Sequence, residues 1–288
     1  LGTGLAIFSA GIGGLAALAA PTKAFGEFAA GIAEITTLSD EASFSTLNLS
    51  EMVLKMNSAY GGGAAAQTKA LYDGISAGAA NAAEANALLD ASNKLGVAGR
   101  AEVGVALDGL TSSANAYGDS FANAAKYSDA LFVAVQKGKT TIPELAGVIG
   151  RVAPTASALG ISFDEVSAAL AAVTLKGLKT DEAATGLKAA MTNIIQPTAS
   201  AAAEATKLGI KFDQTTLQSK GFKGFLDSIT GSSKFSATSL SQLFTSTEAL
   251  NTVLALTADG SSKFNDALAA MGNKTGATDK AFEKMAAT

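Results

Sequence analysis

Apolar residues recur every three or four positions through most of this 288-residue chain. That spacing places them on one face of a helix with 3.6 residues per turn. The apolar runs are separated by Gly, Pro or Asn, residues that end helices or start turns. No run alternates β-branched and polar residues, as a half-buried strand would. Examples of the helical stripes are Leu88, Leu89 and Leu95; Val103, Leu107, Leu110, Ala114 and Tyr117; and Val166, Leu170 and Val173.

Capping residues mark where several of these helices begin. The stretch Thr141–Glu144 combines a Thr cap, a Pro in the first turn and a Glu at the third position. Ser162–Glu165 has the same cap-and-carboxylate spacing, and Thr180–Glu182 opens another helix with acidic residues. The helix that follows Thr141 is expected to break near Pro154, because proline lacks a backbone donor. Pro197 is expected to end the helix that starts at Thr180.

These patterns predict an all-α fold of multiple Ala-rich helices. Helices of about 10 to 18 residues, punctuated by Gly and Pro, cannot form one rod, so we expect antiparallel hairpins packed as a bundle, with no sheet. A Leu-Gly-aliphatic tripeptide recurs at unequal spacings, so it marks helix ends and not a solenoid period. Beyond Phe212 the pattern is less regular. We expect a sub-boundary near 197–221, followed by helices around Leu240–Leu256 and Phe264–Met271.

Composition favours closely packed helices with covered surfaces. Hydrophobic residues make up 48% of the chain but aromatic ones 6%, and Trp is absent, so Ala supplies much of the apolar content. Charged residues are 16% of the chain, against about 25% in average domains. This low charge suggests that other subunits cover some faces. The aromatic residues predicted to anchor the core are Phe25, Phe28, Phe132, Phe163, Phe225 and Phe244.

The charge and the residue inventory exclude several classes of function. The net charge is −4, and no cluster of Lys and Arg supplies the basic stripe that nucleic-acid binding requires. The chain has no Cys and no His. Their absence removes disulfides, thiolate nucleophiles, the usual general base at neutral pH and most zinc ligands. We therefore predict no enzymatic activity, no cofactor and no specific nucleic-acid binding.

Paired carboxylates are the remaining catalytic candidates. The pairs Asp40–Glu41, Asp164–Glu165 and Asp181–Glu182 each lie beside a helix start, where acidic side chains offset the helix dipole. A glycosidase cleft also needs sugar-stacking aromatic residues, and the chain has no Trp and four Tyr. Gly61–Gly63 lacks the Lys-Ser/Thr of a phosphate-binding loop, so we interpret it as a turn or hinge. No catalytic, cofactor-binding or metal-binding residue is predicted.

Residues 1–22 carry no charge and are rich in Gly and Ala. About 20 helical residues cross a bilayer core, and Ala6, Ala10 and Gly14 have the small-residue spacing of packed membrane helices. The alternative is an interface helix in a protein assembly. A signal peptide is disfavoured because no basic start precedes the segment. We therefore divide the chain into residues 1–22 and a helical region, residues 23–288, and expect it to be a fragment of a longer protein.

Short stretches of helix punctuation follow one another in a characteristic order along the chain. They are Ala24–Phe28, Ile75–Gly78, Ala116–Gly118, Tyr127–Phe132, Gly138–Leu145, Gly150–Pro154, Leu159–Ser162 through Ala184–Lys188, Leu243–Phe244 and Glu248–Ala249. No single stretch is specific, but their order from about Phe25 to Phe282 is. In that order they resemble the shared core region of phage tail tape measure proteins. Thr245 departs from the pattern, since Gly is expected after Leu-Phe.

This resemblance implies a structural virion protein that is assembled in the host cytoplasm and lies in the tail tube lumen or at the tail tip. Such a protein sets tail length during assembly and is released ahead of the DNA at genome ejection. The resemblance also implies self-association of several parallel copies, commonly three. Its implied partners are the tail tube protein, tail tip or baseplate hub proteins and tail assembly chaperones, with host membrane contact at ejection. The alternative hypothesis is a membrane-active helical module that forms a pore or conduit for DNA delivery.

Overall fold

The computed structural model of the protein describes residues 23–38 and 41–287. Over these residues the chain forms fourteen α-helices and two short 3₁₀ helices, with no strand. The predicted all-α fold is therefore confirmed. The predicted apolar segment, residues 1–22, lies outside the described residues, as do Asp40 and the side chain of Phe25.

The helices are numbered in chain order, with the 3₁₀ helices at Ala42–Phe44 and Phe121–Asn123 left without numbers. They are α1 (Lys23–Ile35), α2 (Thr46–Tyr60), α3 (Ala64–Ser76), α4 (Ala82–Gly99), α5 (Val103–Ala116), α6 (Ala124–Lys137), α7 (Ile142–Ala158), α8 (Phe163–Leu175), α9 (Thr180–Ile195), α10 (Ala199–Leu208), α11 (Gln214–Thr230), α12 (Ala237–Leu243), α13 (Thr247–Gly272) and α14 (Ala277–Ala286).

Local sequence explains where many of these helices begin and end. Thr141 and Ser162 form the predicted capping boxes with Glu144 and Glu165, each satisfying backbone donors at both positions. Gly209 ends α10 in the left-handed conformation, as its place in a Leu-Gly-aliphatic tripeptide predicts. The region around 240–256 contains two helices and not one, because the chain turns between α12 and α13.

Pro154 does not break its helix, contrary to the prediction. Helix α7 continues through it to Ala158. The backbone donor that proline lacks would pair with the carbonyl of Gly150, four residues earlier. Both residues are exposed, so water can satisfy that carbonyl and the helix survives.

Helices two apart in the chain pack against each other and form two series. Helices α1, α3, α5, α7 and α9 make the first series, and α2, α4, α6 and α8 make the second. Extensive contacts between α4 and α5 join the two. Within the first series α5 and α7 run parallel, because Gly109 lies against Ala146 and, one turn on, Ser112 lies against Gly150.

The fold thus contains parallel helix pairs in addition to the predicted antiparallel hairpins. A hairpin covers one face of each helix, whereas several of these helices are apolar on most sides. Helix α8 is the extreme case, since every residue from Val166 to Thr174 is buried, as is Phe163. Such a helix needs neighbours all round, and α6, α9 and α13 supply them.

Glycine allows the closest approach between two helices. At the crossing of α9 and α13, a methyl group on Gly186 would lie 2.0 Å from Thr252 Oγ1 and 2.4 Å from the carbonyl oxygen of Glu248. The backbone of α9 therefore rests directly on α13. The five predicted aromatic anchors with described side chains are all buried, namely Phe28, Phe132, Phe163, Phe225 and Phe244.

The C-terminal helices run back across both series. Helix α13 packs on α9 and α8, and α14 packs on α6 and α4. Helix α13 is broken at residues 258–261, where the backbone leaves helical angles. Residues 262–286, which we call the C-terminal arm, lie beyond this break. No helix in the described part of the chain combines the length and apolar character needed to cross a membrane.

Candidate functional site

The first acidic pair considered as a catalytic candidate is engaged in structural contacts. Asp164 forms an ion pair with Lys274, at 2.7 Å. Glu165 caps its own helix, α8, and also accepts hydrogen bonds from the backbone N–H groups of Phe222, at 2.8 Å, and Lys223, at 3.3 Å. These two donors follow Gly221, where α11 is broken. Glu165 therefore caps two helices at once.

The other acidic residues next to helix starts have similar roles. Asp181 pairs with Arg151 of α7. Glu182 accepts a hydrogen bond from the backbone N–H of Lys179, at 3.2 Å, and Glu41 accepts one from that of Ser43, at 3.4 Å. The predicted capping role is confirmed for Glu41, Glu165 and Glu182. Asp164 and Asp181 instead form ion pairs with basic residues of other helices or loops.

The three glycines Gly61–Gly63 form the turn between α2 and α3. All three have positive φ, of 74°, 80° and 90°, a region that L-residues disfavour. The first two line a groove of about 750 Å³ with parts of α3, α4, α5 and α7. More than half of its lining residues are Gly, Ala or Val, and the Lys69–Asp73 ion pair also lines it. The turn is a connection between helices, as predicted.

A buried amide pair lies beside this turn. Gln67 Nε2 donates to Asn93 Oδ1, at 2.6 Å, and Asn93 Nδ2 donates back to Gln67 Oε1, at 2.9 Å. The remaining amide donors bond to the carbonyl oxygens of Gly61 and Leu89. Since the pair is satisfied, it fixes α3 against α4 without an exposed polar group. The pair was not among the residues predicted from the sequence, where its signal is a polar residue on an apolar face of each helix.

A buried carboxylate, Asp129 on α6, holds the C-terminal arm. Asp129 is 7% exposed and accepts hydrogen bonds from the backbone N–H groups of Gly276, at 2.8 Å, and Thr278, at 2.9 Å. The neighbouring Ser128 donates to the hydroxyl of Thr278, at 3.0 Å. A carboxylate from α6 therefore caps the start of α14, some 150 residues further along the chain.

A second polar cluster holds the first turn and the middle of α14. Lys94 on α4 lies 2.9 Å from both Asp90 and Asp279. Tyr60 donates to Asp90 at 2.5 Å, and its ring packs edge-on against Phe282 at 5.2 Å. Burial raises the pKa of Tyr60 above its usual range, and the Asp90 carboxylate raises it further. The cluster links α2, α4 and α14 through one phenol, one ammonium and two carboxylates.

An aromatic cluster joins α6 and α8 to the end of α5. The Tyr127 ring lies 4.9 Å from that of Phe163, and the Tyr117 ring lies 5.7 Å from it. Tyr127 donates to Asp119, at 3.1 Å, at the edge of the cluster. The Lys126 ammonium, as the strongest influence, lowers the pKa of Asp119 to about 2. This carboxylate therefore stays ionised at neutral pH beside buried rings.

The contacts described above are caps, amide pairs and ion pairs that join helices. Among residues 23–38 and 41–287, no group of His, Cys, Asp and Glu is placed to hold a metal ion. The arrangement is suited to holding a helical array in one register.

Comparisons with known proteins point in the same direction. Residues 50–245 match the model of a family described as "Phage-related minor tail protein". The probable tape measure protein of Clostridium phage phiCD119 is 28% identical over 288 aligned residues, which cover 96% of this chain and 30% of that protein. The chain thus spans less than a third of that relative's length. No solved structure matches this chain.

Proposed function

We propose, from the premise that the chain belongs to the phage-related minor tail protein family, that it is a segment of a tail tape measure protein. Membership of the family gives the chain a structural role in the phage tail, among the other tail components. The finer proposal is that the whole protein lies in the tail lumen, sets tail length during assembly and leaves ahead of the DNA at ejection. The observation that carries it is the similarity to a probable tape measure protein along 96% of this chain.

The side-chain chemistry supports a structural and non-enzymatic role. Asp164, Glu165 and Asp181 are engaged in caps and ion pairs between helices. The proposed partners are further copies of the chain, three in parallel, together with the tube protein, tip or hub proteins and assembly chaperones. Host membrane contact at ejection completes the proposal.

The fold also suggests how this segment contributes to length. A single extended helix of residues 23–287 would be about 400 Å long at 1.5 Å per residue. A compact domain of this size has a radius of gyration of about 19 Å and is about 50 Å across. Because the described helices pack on one another throughout, we propose that the segment enters the ruler as a folded body. Its share of the tail length is then close to 50 Å.

Tail-length measurements test both parts of this proposal. Two phages are compared with the unmodified phage. In the first, the full-length protein has a second copy of residues 23–287 inserted in tandem. In the second, the inserted segment has the same number of residues but forms an uninterrupted helix. Electron micrographs of the tails give the length change. We expect about 50 Å from the tandem copy and about 400 Å from the helical insertion. Tails of unchanged length with the helical insertion would refute the tape-measure role. A 400 Å gain from the tandem copy would refute the folded body.

A further inference from the structure

The break in α13 stores backbone strain. Ala258 is extended, and Asp259, Gly260 and Ser261 then have φ of 52°, 65° and 62°. Three successive residues in the left-handed region are unusual, and two of them carry side chains. A residue with a side chain populates the left-handed region less than glycine does, by a factor on the order of ten. The break therefore persists because the surrounding contacts hold it.

Contacts from distant parts of the chain hold the C-terminal arm beyond this break. Lys274 pairs with Asp164, 110 residues away in sequence, at 2.7 Å. Asp129 accepts from two backbone N–H groups at the start of α14, and Lys94 pairs with Asp279. Within α14, all of which is described, Thr278 alone is buried. The outer part of the arm is thus held by a few polar contacts and by the packing of Phe282 on Tyr60.

We infer that the C-terminal arm exchanges between two copies of this chain. In the exchanged state residues 258–261 adopt helical angles, and α13 becomes one rod about 39 Å long. The arm then docks on α4, α6 and α8 of a second copy, while that copy's arm takes the vacated place. Every contact of the arm is made again across the two copies. The contact energy therefore cancels, and the released strain favours exchange against the entropy of association.

The exchange specifies how the self-association proposed above takes place, and it rests on that proposal. Copies lying side by side in one tail have a high effective concentration, which lowers the entropic cost of joining them. The joined state needs no new surface, because the docking site on α4, α6 and α8 is the one already described. The partner is a second copy of this chain.

Cysteine substitutions report where the arm docks, since the chain has no Cys of its own. The hydroxyl oxygens of Ser128 and Thr278 lie 3.0 Å apart. A chain with Ser128→Cys and a size-tagged chain with Thr278→Cys are unfolded, refolded together at high concentration and oxidised. A disulfide between these two chains requires the arm of one on α6 of the other. The control carries both substitutions in one chain and is oxidised at low concentration, where the bond closes internally.

The expected result is a tag-shifted disulfide heterodimer on a non-reducing gel. Its amount should grow with protein concentration, and each single-cysteine chain alone should not yield it. If the double variant closes internally and the mixture yields no heterodimer, the exchange is refuted. That outcome leaves the tail-length proposal untouched, because the gel measures arm docking alone.

A matched pair of hinge variants tests the strain without a disulfide. Asp259→Gly with Ser261→Gly relieves the left-handed strain, whereas Asp259→Ala with Ser261→Ala keeps it and favours a straight helix. Both variants lose the ion pair between Asp259 and Lys176, so this loss does not affect the comparison between them. By analytical ultracentrifugation we expect the Ala variant to dimerise at least about a hundredfold more tightly. Equal dimerisation of the two variants would overturn the inference.

Discussion

Replacing Asp129 by alanine tests how the C-terminal arm is held. The carboxylate is buried and accepts hydrogen bonds from two backbone N–H groups, those of Gly276 and Thr278. A hydrogen bond to a charged group contributes about 1.5–3 kcal/mol. Two of them therefore set an upper limit of about 6 kcal/mol, from which the cost of burying the carboxylate is subtracted.

The start of α14 can also open locally, which lowers the expected loss further. Once α14 lifts off α6, water satisfies its N–H groups, and little apolar area is lost because Thr278 is its one buried residue. We expect Asp129→Ala to lower the free energy of unfolding by about 3 kcal/mol. In a domain of this size that corresponds to a fall in Tm of about 5 °C. Asp129→Asn retains one acceptor and should lose about half as much.

Urea unfolding followed by circular dichroism gives the change in stability, and hydrogen exchange locates it. The amides of α14 should exchange faster in Asp129→Ala than those of α7, which the arm does not contact. Asp108→Ala is the control, because Asp108 is exposed on α5, and such changes stay within about 0.5 kcal/mol. An Asp129→Ala variant as stable as this control, with α14 equally protected, would show that the carboxylate does not hold the arm.

Three further predictions concern single sites. Gly186→Ala forces a methyl group to within 2.0 Å of the facing helix and should cost about 3 kcal/mol in urea unfolding; Gly147→Ala, which meets open space, should not destabilise. Gln67→Leu removes the donor to Asn93 Oδ1 and one acceptor of Asn93 Nδ2, and should cost about 1–3 kcal/mol. Replacing both residues by Leu should recover most of that loss in a double-mutant cycle, and no recovery would contradict the pairing. The Lys126 ammonium lowers the pKa of Asp119 from 3.8 to about 2 in the folded state. The contribution of Asp119 to the free energy of unfolding is therefore fully present above the unfolded pKa of 3.8 and is lost as the pH falls towards 2. Asp119→Asn should flatten the stability profile in that window, and an unchanged profile would refute the assignment.

The sequence predicts local features of this fold well because their causes are local. The caps at Thr141 and Ser162 need a hydroxyl and a carboxylate three residues apart, and both are legible in the sequence. Likewise the gap predicted between the apolar runs ending at Leu256 and starting at Phe264 coincides with the break in α13. The failure at Pro154 has a different origin. Propensity favours a break there, but exposure of the unpaired carbonyl removes most of its cost.

Contacts between distant residues could not be predicted from the chain alone. Asp129 bonds to Gly276, 147 residues away, and nothing near either residue identifies the other. The parallel packing of α5 on α7 is similar, because the apolar stripe of a helix tells which side is buried but not which helix covers it. Residues that make such long-range hydrogen bonds, for example Gln67 and Asp129, appear in the sequence merely as polar residues on apolar helices.

The long separation between Asp129 and its partners has a consequence for synthesis. Ribosomes add about 5–20 residues per second, so roughly seven to thirty seconds pass between the emergence of Asp129 and that of Gly276, 147 residues later. Helices that pack two apart can meet as they emerge, since their partners are close in sequence. The docking site for the arm is therefore built early and stays open until the arm itself has been synthesised. On a polysome, during that interval, a neighbouring nascent chain has the same access to it as the chain's own arm.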